Sequence, residues 1–340
     1  NDAGFGITTG GNNVVIGHQA MDASSGAADG MVAIGVEALS TFNGGNVDSS
    51  VAVGEYSLNS LTDGVSSVAV GTKALRYTTG DRNTAVGSDA AYNMTTGDDN
   101  VAVGYLALGI AGAASDNTAV GNKAGRLAVK TQFGTFLGMQ AGEYATGSYN
   151  TFVGGQAGQG GTTSAPYSSG QRNIAVGYQA LTAFTTGGDN IAIGYQAADS
   201  LTTSNMVIAI GHSAAQAFTA DRGYGIYIGR NAGYSETGTY NDTMLGNGAG
   251  YSQNLGGAGT SYGYNTYLGY RAGYSNVSAG SNTYVGNDAG YAKTGNSNTA
   301  VGKRAMQNVA SGDGNTAVGA IAGVHIHGNY STHIGYQAGR

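Results

Sequence analysis

The sequence predicts an all-β chain wound as a parallel β-roll solenoid of about 19 coils. Three observations predict it: a phrase that recurs from end to end, two-residue alternation inside the phrase, and a turn signal after it. The anchor is a branched aliphatic followed by glycine, at Gly17, Gly35, Gly54, Gly71, Gly87, Gly104, Gly121, Gly138, Gly154, Gly177, Gly194, Gly211, Gly229, Gly246, Gly269, Gly286, Gly302, Gly319 and Gly335. Val, Ile or Leu precedes every one of these glycines. Three residues after the glycine stands Ala in eighteen copies and Ser57 in the other. Successive anchors lie mostly 16 to 18 residues apart, with one interval of 19 and two of 23. No segment is left for a linker, so residues 1–340 read as a single repeat domain with a period of about 17. The chain opens and closes within the phrase, which reads as a segment of something longer.

Each element follows from the wording. In "NTAVG" (Asn83–Gly87) Thr84 and Val86 point one way while Asn83, Ala85 and Gly87 point the other, a short β-branched strand. "SDAAYNM" reads as a second extended stretch and "TTGDD" as a turn. Two strands of about five residues with two turns fill the period. Glycine and β-branched residues at these positions oppose a helix. Coils stacked in parallel at about 4.8 Å would form a rod on the order of 90 Å long. A three-sided hexapeptide helix needs an aliphatic every sixth residue. The calcium-binding nonapeptide roll needs a Gly-Gly-x-Gly-x-Asp run, which is absent. A flattened, two-stranded roll remains, its thin interior expected to hold the aliphatic before the glycine, the Thr/Val/Ile two residues earlier, and the alanine.

Composition narrows the function. Sixty-two glycines would suit a disordered chain, but the strict aliphatic and alanine positions oppose disorder. There is no cysteine, hence no disulfide or thiolate chemistry. A net charge of −6 with scattered Lys and Arg offers no stripe for nucleic acid. No apolar run approaches the roughly 20 residues of a membrane span, and "NDAGFG" is no signal peptide. "GKR" at Gly302–Arg304 lacks the glycine and the Ser/Thr of a phosphate loop. No Ser/His/Asp grouping or carboxylate pair recurs, so a non-enzymatic protein is expected.

Burying an aliphatic contributes roughly 1.5–3 kcal/mol, which barely offsets ordering a coil. Oligomerisation is therefore expected. The middle residue of the phrase is usually Ala but becomes Phe, Tyr, Met or His in some coils, an overpacking change for a thin interior. That places Ala85, Ala102, Ala119, Phe136, Phe152, Tyr227, Met244, Tyr267, Tyr284 and His333 outside the roll, along a trimer axis.

Asn precedes the glycine by four residues in eleven copies, suiting left-handed corners and stacked amide ladders. Recurring threonines such as Thr84, Thr118, Thr135 and Thr151 could match an ice lattice only if their face is outward. His325 and His327 alternate onto one face and, with His333, are candidate ligands for a transition metal; no other cofactor is expected. The two long intervals carry loop insertions at 159–172 and 251–264, where Pro166, Tyr167, Tyr262 and Tyr264 are candidate binding residues.

The wording "NTAVG", "NIAVGYQAL" and "NIAIGYQA" resembles the head repeats of YadA-type trimeric autotransporter adhesins, through all nineteen copies. The resemblance implies a left-handed parallel β-roll, three chains about one axis, and surface attachment. Similar repeats occur in fibres of bacteriophages and large viruses. No neck, coiled-coil stalk or anchoring barrel is read in the sequence. The expected role is a homotrimeric extracellular fibre on a bacterial cell or virion surface, binding a receptor or glycan. The alternative is a spacer or filament module without a ligand.

Overall fold

A computed structural model of the chain describes residues 3–340 except 6, 8–9, 24–27, 42–46, 62–65, 162–166, 220–222, 236–240, 253–262, 277–278, 293–294 and 310. Among the described residues all regular structure is β, wound as a parallel solenoid. The chain divides into two compact units, Asn1–Arg172 and Asn173–Arg340.

In the first unit the phrase supplies strands from Val14–Ile16 to Thr151–Val153, one for each anchor glycine. Each pairs in parallel with the next at the same repeat position: Val14 with Val32, Ala85 with Ala102, Phe136 with Phe152. Ala28–Asp29 and Val47–Asp48 form a separate small pair. In the second unit strands from Ile174–Val176 to Thr332–Ile334 repeat the arrangement, with Tyr267 opposite Tyr284. Most strands are three residues long; Val207–Ile210, Gly225–Ile228 and Asp242–Leu245 have four.

The second extended stretch of each coil is not a strand. After the glycine the backbone alternates in hand, so that Asp89 (φ 54°) and Ala91 (φ 50°) are left-handed. Alternate residues bond to the coils on either side. The Asp89 N–H donates to the Thr72 carbonyl (2.9 Å) and the Ala91 N–H to the Ala107 carbonyl (2.8 Å). Coils are thus held in register without β dihedrals. The anchor glycine has two reasons to be glycine: Gly87 has φ 133°, and a Cβ there would lie 2.8 Å from the Gly104 carbonyl.

Inside and outside are the reverse of the expectation. Ala85, Ala119, Phe136, Phe152, Tyr227, Met244, Tyr267 and Tyr284 are fully buried within the chain itself, and Ala102 is 1% exposed. Val86 and Val120, which precede anchor glycines, are 38% and 39% exposed. The middle residue is therefore core, joined by the alanine three after the glycine and the residue four after it. None of these buried side chains is free to line an axis between chains.

Overpacking is avoided by compensation within the coil. Wherever the middle residue is bulky, the residue four after the anchor is glycine: Phe136 with Gly142, Phe152 with Gly158, Tyr227 with Gly233, Met244 with Gly250, Tyr267 with Gly273, Tyr284 with Gly290, His333 with Gly339. A Cβ at Gly273 would collide with the Tyr267 ring, and one at Gly290 with Tyr284. Where the middle residue is alanine, that place usually holds Leu, Met or Ala, such as Leu75, Leu108 or Leu181. Two coils depart: beside Gly125 the space is filled by Phe136, and beside Gly323 by Ile326.

The asparagines also turn inward. Asn100 Nδ2 donates to Asn83 Oδ1 (3.0 Å) and to the Ala114 carbonyl (2.8 Å), and Asn117 Nδ2 donates to Asn100 Oδ1 (3.1 Å). Asn173 and Asn190 repeat this in the second unit. The amide ladder is present, fully desolvated. The left-handed residue is the one before each asparagine, such as Arg82 (φ 53°) or Asp99 (φ 58°), so the corner is turned by its neighbour.

Candidate functional site

The feature that stands out in each unit is the outward face of its parallel sheet. Two files of side chains run along it. One holds the Val, Ile or Leu before the anchor glycine; the other holds the Thr, Val or Ile two residues earlier. Neither position is buried in any coil. Val70, Val86, Val101 and Val120 in the first unit are 37–39% exposed, and Ile193, Ile226, Leu245 and Leu268 in the second 37–43%. No charged residue occupies either file. Contiguous exposed apolar surface of this kind marks an interaction face rather than an ordinary monomer surface. The strand places both files outward because its odd positions alternate with the buried asparagine and middle residue. Sequence reading missed this face by treating invariance of type as a sign of packing inside the roll.

In the second unit the threonines are consecutive. Thr243, Thr266, Thr283, Thr299, Thr316 and Thr332 pair rung by rung. Their face is outward, so the condition set for an ice-matching surface is met by position.

The flanks carry aromatic ladders. Tyr178 stacks on Tyr195 (centroids 5.7 Å) and Tyr195 on His212 (5.0 Å). Tyr234, Tyr251, Tyr274 and Tyr291 form four rungs at 5.0, 4.9 and 5.1 Å, with planes within 7° of parallel. Ion pairs lie across coils. The Arg82 guanidinium grips Asp99 through two bonds of 2.7 and 2.8 Å and holds its carboxyl below the usual range. Arg271 Nε lies 2.9 Å from Asp288 Oδ1, and its guanidinium lies over the rings of Tyr270 and Tyr291. In the first unit Glu143, 1% exposed, accepts from Gln140 (2.8 Å) and Gln159 (3.1 Å), with Arg126 Nε at 3.0 Å.

Of the loop residues, Pro166 and Tyr262 lie outside the described residues. Tyr167 is half-buried and stacks on Tyr144 at 6.5 Å. Tyr264 is 53% exposed in a left-handed conformation, φ 56°. His325 and His327 are exposed, alternating with buried Val324 and Ile326 as their spacing suggested. His333 instead takes the inward middle position of the last coil, packed against Gly339. Among the described residues no three or more His, Cys, Asp or Glu come together as a metal site. No helix of the described residues is long and apolar enough to cross a membrane.

No family model, curated protein or solved structure matches the chain.

Proposed function

We propose that the chain is one member of a homotrimeric extracellular fibre that attaches a bacterial cell or virion to a receptor or glycan. The observation that carries this reading is the uncharged aliphatic face of each sheet. Such a face gains by being covered, and a second and third copy present the same files to cover it. In this reading each unit meets its copies along its own outward file, at residues such as Val86 and Val103 in the first and Ile193 in the second, and the buried alanines and tyrosines shape each roll instead. The number three, the left-handed winding and the attachment role rest on the resemblance of the phrase to adhesin heads. The flanks, carrying tyrosines, glutamines and ion pairs, are left to meet a ligand.

Sedimentation equilibrium of the purified chain tests the assembly: three chain masses are expected, and a stable soluble monomer sinks the reading. Retention on immobilised glycans and on cell-surface protein tests attachment. A trimer retained on neither is the spacer or filament alternative.

A second reading is favoured by the six consecutive outward threonines: a free, flat file of hydroxyls beside aliphatics that orders water as a lattice. A monomeric mass combined with faceted growth of ice crystals would support it over the fibre.

A further inference from the structure

The four-rung ladder Tyr234–Tyr251–Tyr274–Tyr291 has no part in the core or on the strand face. Its position, five residues after the anchor glycine, holds Asp22, Arg76, Gly109, Gln159, Thr182 and Gln216 in other coils, so the fold does not require an aromatic there. Four consecutive tyrosines in that place need another account. Each is half-exposed, and the centroids are 4.9–5.1 Å apart. Near-parallel planes bring the faces of neighbouring rings to about one coil spacing.

One detail marks the carbons next to the phenol oxygen. Gly248 is the only glycine found two residues after an anchor. A Cβ there would lie 3.2 Å from Tyr274 Cε2, which is ortho to the hydroxyl. The missing side chain therefore lets the Tyr274 ring close onto the buried backbone of the preceding coil, which fixes the ring in the stack. Burial, followed by the charges of Tyr251 and Tyr291, raises the Tyr274 phenol above its ordinary range. Tyr274 is consequently held as a neutral phenol.

We propose that this ladder is a site of oxidative modification, in which adjacent tyrosines are joined as dityrosine and successive coils are covalently stapled. The oxidant is a peroxide acting through a haem peroxidase. Each of two neighbouring phenols gives up one electron to the oxidant and its O–H proton to water. The two radicals form one carbon–carbon bond between ortho carbons. The ortho hydrogens then transfer to the oxygens through solvent, restoring both phenols. The pair has lost two electrons and two protons, which reduce one hydrogen peroxide to two waters. Prior alignment in the stack makes the coupling intramolecular, where effective concentrations far exceed those between chains.

The test uses the full chain, dilute and folded, treated with a haem peroxidase and hydrogen peroxide, then digested and analysed by mass spectrometry. Peptides lighter by two hydrogens and joining Tyr251 to Tyr274, or Tyr274 to Tyr291, are expected at a yield at least about tenfold above that of the urea-unfolded chain. Tyr274→Phe keeps the ring and the stack but removes both links, leaving Tyr234 to Tyr251 available. Equal yields from folded and unfolded chain, links unaffected by Tyr274→Phe, coupling mainly at Tyr178–Tyr195, or no dityrosine at all would each overturn the proposal.

Discussion

Tyr267 and Gly273 occupy one volume between them, as Ala175 and Leu181 do in another coil. Single changes should therefore be costly and paired changes mild. Tyr267→Ala empties a fully buried site and should destabilise by about 3–5 kcal/mol. Gly273→Leu should cost about 2–5 kcal/mol by forcing a side chain into the ring and a left-handed residue away from glycine. The double variant restores the Ala/Leu pairing, and Leu181 already tolerates this conformation at φ 53°. Urea melts of the four proteins should give a strongly favourable coupling energy; additive losses would show that the two residues do not share space. Tyr284 makes a second prediction. Burial pushes its phenol well above the usual range, so the folded chain keeps a proton that the unfolded chain releases above about pH 10. Stability from this residue is present below that pH and lost as pH rises further. Tyr284→Phe should flatten the alkaline decline of the melting temperature, and an unchanged slope would exclude Tyr284 as its source.

The asparagine ladder is the element that ties coil to coil inside each unit. An interior rung such as Asn100 donates to Asn83, Asp98 and Ala114 and accepts from Asn117. Asn100→Ala strands several buried partners and should cost about 1–3 kcal/mol; a thermal melt within error of the parent would contradict this. The ladder was legible in the sequence because an amide repeated every coil can bond to its own copies. The strand was legible too, since "NTAVG" alternates and ends on glycine. The direction of its faces was not. Val86 and Ala85 are both small and apolar, and hydrophobicity alone cannot say which lies inside. The deciding signal was a correlation within each coil: every Phe, Tyr, Met or His in the middle position is matched by a glycine six residues later, the fourth past the anchor. The post-glycine stretch was misread for a different reason. Left-handed residues such as Lys73, Gln140 and Leu108 are not types that announce that conformation.

At the scale of the molecule the outward aliphatic files are where the proposed assembly is tested. Val103→Asp with Val120→Asp places two charges on adjacent rungs of the first unit's face. Light scattering should then report smaller assemblies than the parent forms, while circular dichroism stays unchanged. An unaltered mass would move the interface elsewhere. The matched pairing of middle residue and following glycine reaches further than stability. Most coils balance their own interior volume, so such a coil can be duplicated or lost without asking its neighbours to repack. Removing residues 178–194 joins Gly177 to Tyr195 and leaves the phrase intact, so the shortened chain should still fold. Coil number is therefore a property the fold leaves open, because each remaining coil keeps its own core filled.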